Sequence, residues 1–371
     1  MKTNLALIAA LALSAITAFA QVSPTQIDSI FSSLKSTTAP GAAVLIVRNG
    51  RPVFRRGYGV TDLRTLHAID AKTNFRLASF TKQFTAACII LLAHDGKLRY
   101  DDHLTDFFPE FPAYGKSITV RNLLNHTSGL EDYEDLWSKL HPDGRQIHDA
   151  EVLKLLEQQT AARFPAGAKW EYSNSGYAVL AMIVEKVSGK PFGQFLHERI
   201  FVPLKMNHTL AYENGENEVP NRAYGHTKLG QSEKAAWQQT DQSPTSAVLG
   251  DGGIYSNLDD LAKWDRALRQ HKLLSESEMR PALTPVQPTT GPAKLDDGSS
   301  VSYGFGWFLD PYHDHQNQAH KRMSHDGGTI GFRTTIQRFP DDQLTVIVLA
   351  NRTDINPEEL ALKVADLYLG K

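Results

Sequence analysis

Residues 41–60 have the sequence GAAVLIVRNGRPVFRRGYGV, which is typical of a β-hairpin. The unbroken apolar run Gly41 to Val47 has the length and composition of a buried strand. Asn49-Gly50 is a dipeptide that favours tight two-residue turns, and Pro52 to Val60 then predicts the returning strand. The N-terminal part of the chain is therefore expected to contribute two neighbouring antiparallel strands.

The C-terminal end repeats this pattern. Thr329 to Phe339 and Leu344 to Ala350 are predicted to be strands, because each is rich in β-branched and aromatic residues and Pro340-Asp341-Asp342 separates them. Helical spacing of apolar residues predicts a helix over Gln26 to Lys35 and another over Pro357 to Leu369. We therefore expect one antiparallel sheet built from both chain ends and flanked by helices.

The central part of the chain, residues 79–299, is predicted to be mostly helical. Apolar residues recur at helical spacing in Glu151 to Gln158, Gly176 to Val187 and Leu258 to Leu268. The expected fold class is α+β, with an α/β part formed by residues 21–78 and 300–371 and a helical region inserted between them.

Composition excludes several functional classes. The chain has 371 residues, which is too long for one compact core and fits two packed units, and its 41% hydrophobic and 22% charged residues are typical of a globular protein. Lys and Arg number 39 against 41 Asp and Glu, a formal net charge of −2, so no basic excess favours nucleic-acid binding. Cys88 is the single cysteine, which excludes an internal disulfide and a cysteine-rich metal site.

Residues 1–20 have the pattern of a secretory signal peptide. Lys2 is followed by the apolar run Leu5 to Leu13, and Ala18-Phe19-Ala20 is an A-x-A cleavage signal. The run is short for a membrane-spanning helix, which is the alternative interpretation. We expect residues 21–371 to be exported, periplasmic or secreted, without a membrane anchor once the signal is removed.

The strongest candidate for a nucleophile is Ser79, in Ser79-Phe80-Thr81-Lys82 at the start of an apolar helix. Residues at i and i+3 share one helix face, so the amine of Lys82 is placed to take or relay the serine proton. Backbone N–H groups at the helix start favour an anion at the same position. Ser32 and Lys35 have the same spacing near the end of a surface helix, where a structural interpretation is favoured.

Two further segments carry candidate site residues. Tyr172-Ser173-Asn174 lies in a loop that leads into a predicted helix, where a tyrosine held against ammonium groups can serve as a base. His325-Asp326-Gly327-Gly328 precedes the predicted strand from Thr329, and its two glycines allow a ligand to approach backbone N–H groups closely.

Other catalytic frameworks are not indicated. The sequence contains neither G-x-S-x-G nor H-E-x-x-H. His313, His315 and His320 cluster without a pattern of carboxylates or cysteines, so a solvated loop is favoured over a metal site. We expect neither a metal nor another cofactor.

Taken in order, Ser79-x-x-Lys82, Tyr172-x-Asn174 and His325-x-Gly327 resemble the three motifs of the serine β-lactamase and D-alanyl-D-alanine peptidase superfamily. The resemblance covers nearly all of residues 21–371 and is strongest to the class C β-lactamase branch with its related esterases and D-aminopeptidases. Leu123 to Leu130, LLNHTSGL, resembles a helix-and-turn signature of that branch, and we interpret it as structural.

The resemblance implies a fold and a set of roles. The fold is an antiparallel sheet flanked by helices beside an all-helical region, with the site between them. Ser79 is implied as the acylated nucleophile, with its proton shared by Lys82 and Tyr172, and Asn174 as the group that orients either the substrate amide or Lys82. Backbone N–H groups of Ser79 and Gly328 are implied as the oxyanion hole, and His325 and Gly327 as substrate-binding residues.

His325 departs from the lysine that β-lactamases and penicillin-binding proteins usually carry at this position. Because the ordinary pKa of histidine is about 6.5, we expect both of its protonation states to be reachable near pH 6–7. A histidine in place of this lysine argues against efficient β-lactam hydrolysis, but it does not argue against acyl transfer at Ser79.

The resulting functional prediction is a serine hydrolase that cleaves an amide, peptide or ester bond through a Ser79 acyl-enzyme. Its partner is a small-molecule or peptide substrate, including D-amino-acid peptides, esters, β-lactams and peptidoglycan-derived compounds. One alternative is a non-catalytic penicillin-recognising or cell-wall-sensing protein on the same fold. Another is an exported structural or carbohydrate-binding protein with accidental motif matches.

Overall fold

A computed structural model describes residues 22–370, except 214–215, 231, 233–234 and 296. The predicted signal peptide, residues 1–20, lies outside the described residues. Within the described part, no helix combines the length and apolar character needed to cross a bilayer.

The strands of the described residues are mostly short outside one large sheet. Their bounds are β1 Ala42–Arg48, β2 Arg51–Tyr58, β3 Phe75–Arg76, β4 Leu210–Ala211, β5 His226–Lys228, β6 Trp237–Gln239, β7 Ile254–Ser256, β8 Tyr312–His313, β9 Ala319–His320, β10 Met323–Thr329, β11 Phe332–Phe339 and β12 Leu344–Ala350.

The large sheet joins both chain ends, as predicted. Its order is β10-β11-β12-β1-β2, and neighbouring strands run antiparallel. β1 and β12 pair from Ala42 opposite Ala350 to Arg48 opposite Leu344. Asn49 and Gly50 have φ values of 52° and 70°, the left-handed conformation that a tight turn between β1 and β2 requires.

Both faces of this sheet are covered. Side chains alternate along a strand, so Val44 and Ile46 of β1 pack with the N- and C-terminal helices, whereas Leu45 and Val47 face the helical region. This explains why the apolar run in β1 is unbroken rather than alternating.

The helices occupy the flanks of the sheet and the central region. Their bounds are α1 Pro24–Ile30, α2 Lys82–His94, α3 Leu104–Phe107, α4 Val120–Leu124, α5 Tyr133–Leu140, α6 Asp149–Glu157, α7 Asn174–Ser188, α8 Phe192–Leu196, α9 Val202–Leu204, α10 Leu249–Gly252, α11 Leu258–Arg269, α12 Glu276–Met279 and α13 Pro357–Asp366. Short 3₁₀ turns occur at Ser32–Leu34, Ala78–Thr81, Ala113–Ser117 and Pro281–Leu283, and a π-helical turn at His197–Phe201.

Helix α2 lies at the centre of the protein. Its residues from Lys82 to Leu92 are all buried, and it packs against α7. A helix that is apolar on every side is stable only when surrounded, and burial on all sides holds its first residue rigidly. This rigidity places Lys82 at a defined position beneath the sheet edge.

The strand prediction from Thr329 to Phe339 was wrong in its bounds. The structure has two strands there, β10 and β11, joined by a turn at Ile330-Gly331 in which Gly331 has a φ of 76°. His325-Asp326-Gly327-Gly328 therefore lies within an edge strand and not in a segment before it. The central region also contains short strands, of which β4 and β7 form a small sheet with β3.

Candidate active site

Ser79 lies in the 3₁₀ turn Ala78–Thr81, which continues directly into α2. The preceding Ala78 has a φ of 50°, an uncommon and costly conformation for a residue with a side chain. Ser79 itself is half-buried, whereas its neighbours Ala78 and Phe80 are buried. The local backbone thus presents the hydroxyl of Ser79 at the surface of an otherwise buried segment.

Lys82 contacts Ser79 as the helical spacing predicts. Its Nζ atom lies 3.0 Å from Ser79 Oγ, 2.8 Å from Asn174 Oδ1 and 2.9 Å from the carbonyl oxygen of Asp251. The side chain is fully buried. An ammonium group has three N–H donors, and each has an acceptor here.

Tyr172 lies beside Lys82, but not in hydrogen-bond contact with it. Lys82 Nζ is 5.0 Å from the centre of the Tyr172 ring, which is the distance of a cation–π contact. The Tyr172 hydroxyl is buried and has no hydrogen-bond partner among the described residues. The structure therefore places Lys82 against the ring of Tyr172, while the hydroxyl of Tyr172 has no hydrogen-bond partner among the described residues.

Asn174 is the first residue of α7. The Ser173 side chain accepts a hydrogen bond from Gly176 N and caps the helix, which orients the Asn174 side chain toward Lys82. Asn174 Nδ2 donates to Glu134 Oε1 at 3.1 Å. Burial and the charges of Asp251 and Asp132 raise the pKa of Glu134 to about 7, although Lys82 and Asn174 favour its ionised form.

Asp251 contributes both its backbone and its side chain behind Lys82. Its carbonyl oxygen accepts from Lys82, and its carboxylate accepts from the hydroxyl of Tyr133 at 2.8 Å. Burial raises the pKa of Asp251, while the positive charge of Lys82 acts in the opposite direction. Asp251 therefore links Lys82 to Tyr133, and it lines the same cleft as Ser79.

His325 is buried on β10 and is neutral. Its Nδ1 atom is 2.7 Å from the carbonyl oxygen of Asp326 and must donate to it, so Nε2 accepts from the Tyr303 hydroxyl at 3.1 Å. Burial, together with the charge of Lys82, lowers the pKa of His325 to about 3. The expectation that both protonation states are reachable near pH 6–7 is therefore wrong.

The two glycines of the third motif have different surroundings. A β-carbon on Gly327 would lie 2.0 Å from the carbonyl oxygen of Leu77 and 2.3 Å from Thr334 Oγ1, whereas one on Gly328 would meet nothing closer than 3.8 Å. The close backbone approach expected of a ligand is made at Gly327 by the protein's own Leu77. Gly328 is exposed and remains open to a ligand.

Ser79, Asn174 and Gly328 line one open cleft. Most of its other lining residues are polar, and they come from several segments of the chain: Arg76, Ala78, Tyr133, Glu134, Thr245, Asp251, Gly252 and Thr329. Within the described residues, no group of three or more His, Cys, Asp or Glu side chains is arranged to hold a metal ion. The histidine of the C-terminal cluster that is buried, His320, contacts Asp314 and Asp342 instead.

Sequence reasoning missed Glu134, Asp251 and Tyr303 as parts of this site. Each reaches the site across 22 to 169 residues of sequence. None of these three residues belongs to a sequence motif whose spacing would identify it as part of a site. Tyr303 forms an isolated β-bridge with Phe308 across a bend in which Gly306 has a φ of 75°, and Phe308 in turn pairs with Ser324 of β10.

Residues 27–370 match the family model described as Beta-lactamase, and these residues include every part of the site above. The chain therefore belongs to the β-lactamase family, and its site has the side chains of a serine hydrolase.

Individual relatives agree with this assignment. The chain is 32% identical over 355 residues to penicillin-binding protein 4* of Bacillus subtilis, covering 92% of this chain and 75% of that protein. It is 28% identical to D-aminopeptidase of Brucella ovis, covering 89% of this chain and 60% of that protein. The octameric penicillin-binding protein homologue of Pyrococcus abyssi has the same fold, with a TM-score of 0.78 at 24% identity, covering 94% of this chain and 77% of that one.

Proposed function

We propose that the protein hydrolyses an amide, peptide or ester bond through an acyl-enzyme formed on Ser79. The observation that carries the proposal is the 3.0 Å contact between Lys82 Nζ and Ser79 Oγ, in a lysine whose other two donors are held by Asn174 and Asp251. A serine hydroxyl is a weak nucleophile, and a fixed amine at hydrogen-bond distance is the activation that it requires.

In the proposed acylation step, the pair formed by Lys82 and Tyr172 starts with one of its two groups deprotonated. Ser79 Oγ attacks the substrate carbonyl carbon, and the Ser79 proton passes to that deprotonated member of the pair. The same pair then returns that proton to the leaving alcohol or amine as the carbon–heteroatom bond breaks. Water then attacks the acyl-enzyme ester and gives a proton to the pair, the pair returns a proton to Ser79 Oγ, and the acid product leaves. The unengaged Tyr172 hydroxyl supports a share in this transfer, because no other described group competes for it.

The negative charge of the tetrahedral intermediate needs fixed donors. We assign these to the backbone N–H groups of Ser79 and Gly328, which line the same cleft. Gly328 is open to solvent on its side-chain face, which supports close approach of a substrate. Gly327 and His325 support Gly328 from inside the protein, because both are buried against other parts of it.

The substrate class is proposed from the site and from the relatives' names. A buried, neutral His325 supplies no positive charge for a substrate carboxylate, which disfavours β-lactams as efficient substrates. The proposed substrates are D-amino-acid peptides, amides or esters, including peptidoglycan-derived peptides. The name of the D-aminopeptidase relative supports the D-amino-acid peptides among them. We also propose that the protein is exported through residues 1–20, which fractionation of cells expressing the full chain tests.

The experiment for this proposal combines covalent labelling with a substrate panel. A fluorophosphonate probe is expected to label Ser79, and turnover is measured on p-nitrophenyl esters, D-amino-acid anilides, D-Ala-D-Ala peptides and nitrocefin. Turnover of an ester or D-amino-acid amide above nitrocefin supports the proposal. Stable acylation by penicillin without turnover of any substrate would instead favour a penicillin-recognising protein, and absence of labelling would reject both.

A further inference from the structure

The segment that carries Tyr172 is attached to the turn of the LLNHTSGL signature. Four backbone N–H groups of residues 163–173 donate to this turn: Arg163 N to Gly129 O at 2.8 Å, Gly167 N to Thr127 O at 2.8 Å, Glu171 N to His126 O at 2.9 Å and Ser173 N to His126 Nδ1 at 3.1 Å. These four hydrogen bonds fix the backbone of the loop that carries Tyr172 against the turn.

His126 holds the two residues on either side of Tyr172. Its carbonyl oxygen accepts from Glu171 and its ring nitrogen accepts from Ser173, so the backbone of Tyr172 is fixed at both ends. The rings of His126 and Tyr172 are also in contact, with centres 4.4 Å apart.

The conformation of His126 is costly. Its φ is 62°, in the left-handed region that few residues with side chains adopt, and the residue is fully buried. Because Nδ1 accepts from Ser173, the proton of the neutral ring is on Nε2, which has no hydrogen-bond partner among the described residues. Strain and an unpaired buried donor at one residue point to a function that outweighs them.

We propose that His126 is a positioning residue that fixes Tyr172 against Lys82 and Asn174 at the start of α7. The role requires an acceptor at the position of Nδ1 and a left-handed backbone. It assigns a purpose to a segment that the motif comparison alone marks as structural, and it rests on the proposed function for its catalytic consequence. The contact itself does not depend on that function.

Two substitutions test whether His126 acts through the hydrogen-bond acceptor at the position of Nδ1 or through the volume of its ring. In His126→Asn the side-chain oxygen takes the place of Nδ1, and asparagine tolerates a positive φ. In His126→Gln the amide group is one carbon further out, so the acceptor is displaced. His320→Asn is the matched control, because His320 is another buried histidine whose partners, Asp314 and Asp342, lie outside the cleft.

The first measurement is hydrogen–deuterium exchange resolved to single amides, without substrate. The Ser173 amide is expected to exchange at least tenfold faster in His126→Gln than in the wild type and to stay within threefold of it in His126→Asn. The Glu171 amide, which donates to a backbone carbonyl, serves as the internal reference. Equal protection of Ser173 in the wild type and both His126 variants would overturn the proposal.

The second measurement is ester turnover per active site, counted by fluorophosphonate labelling, alongside the melting temperature. His126→Gln is expected to lose at least tenfold in kcat with a smaller change in KM, while His126→Asn and His320→Asn stay within threefold of wild type. Equal kcat losses in both His126 variants, or a lowered melting temperature with unchanged kcat in His126→Gln, would show that His126 is merely structural. If the wild type neither labels nor turns over, the proposed function fails, and the exchange result alone decides whether His126 positions the loop.

Discussion

The hydroxyl of Tyr303 lies 3.1 Å from Nε2 of His325 and donates to it. Because the other ring nitrogen donates to the carbonyl of Asp326, the imidazole has no free polar atom with which to bind a proton or a substrate. Tyr303 is fully buried, so solvent does not compete for this hydrogen bond. His325 is therefore part of the wall that supports β10, and its side chain is not a charge in the cleft.

The first prediction concerns His325→Lys, which places the residue usual in β-lactamases at this position. A lysine here would have a buried ammonium close to Lys82, and among the described residues no carboxylate forms an ion pair with the present imidazole. We expect the free energy of unfolding to fall by several kcal/mol, on the order of 3–5. Urea unfolding at pH 7 measures it.

Tyr303→Phe is the comparison for that variant. It removes one neutral hydrogen bond and leaves His325 in place, so the expected loss of stability is about 1–3 kcal/mol, because Nε2 remains buried and unpaired. If His325→Lys proves as stable as the wild type, water must reach the ammonium group of the new lysine. Our description of His325 as a buried residue without access to solvent would then be incorrect.

The second prediction concerns Glu134, whose pKa is raised to about 7. In the unfolded chain the pKa of a glutamate is about 4.3, so the folded state holds this proton more tightly and stability is lost as pH rises from about 4.3 to 7. Glu134→Gln removes that loss and keeps an acceptor for Asn174. The variant is therefore expected to gain about 1–3 kcal/mol relative to the wild type between pH 4.5 and pH 7.5.

Urea unfolding of wild type and Glu134→Gln across this pH range measures the difference. Asp135→Asn, at the exposed neighbouring position on α5, is expected to show no such pH-dependent gain. A constant difference between Glu134→Gln and wild type at all pH values would mean that Glu134 titrates at an ordinary pKa.

The third prediction identifies the nucleophile. Ser79→Ala is expected to abolish fluorophosphonate labelling and ester turnover together, because the hydroxyl beside Lys82 is the proposed attacking group. Ser32→Ala is the control, since Ser32 has the same spacing to a lysine in an exposed 3₁₀ turn at the N-terminal end. Labelled Ser79→Ala, with the adduct located by mass spectrometry on another serine, would reject the assignment.

The fourth prediction concerns the coupling of Lys82 and Tyr172, which lie 5.0 Å apart between Nζ and the ring centre. Groups that transfer one proton together are non-additive, so Lys82→Ala and Tyr172→Phe should each lose roughly 10²–10⁴ in kcat/KM. The double variant should lose little more than the worse single variant. A loss equal to the product of the two single losses would show independent roles.

Local sequence patterns were enough to predict the sheet and the contact between Ser79 and Lys82. The strands β1 and β12 are apolar over their whole length, and a serine and lysine three residues apart on a helix must meet. β10 was not predicted as a separate strand, because Ser-His-Asp-Gly-Gly has low strand propensity and leads into the strand predicted from Thr329. It is extended because it pairs with β11 along its whole length.

The remaining site residues depend on contacts between distant segments. Glu134 meets Asn174 across 40 residues and Asp251 meets Lys82 across 169, and a single carboxylate in a sequence carries no spacing that reveals such a contact. The direction in which the pKa of His325 is shifted could not be predicted from the sequence for the same reason. Its burial by Tyr303 and Phe308 is a tertiary effect, invisible in the motif itself.

The fifth prediction uses the two glycines of β10 as a matched pair. In Gly327→Ala the added methyl group would collide with the carbonyl oxygen of Leu77, two residues before Ser79. Leu77 and Thr334 are held together by a 2.7 Å hydrogen bond, so neither moves away without breaking it. We expect loss of most ester turnover and a destabilisation on the order of 2–4 kcal/mol, since β10 and the Ser79 turn must separate.

Gly328→Ala should fold normally, because its added methyl group has open space and neither glycine has a positive φ. The methyl group lies beside the proposed oxyanion donor, so kcat/KM is expected to fall more for bulky than for small acyl groups. Urea unfolding and a series of p-nitrophenyl esters of increasing acyl size measure both effects. Equal destabilisation by the two substitutions would mean that β10 and the segment at Leu77 are not in the close contact described, and that Ser79 is not held against β10.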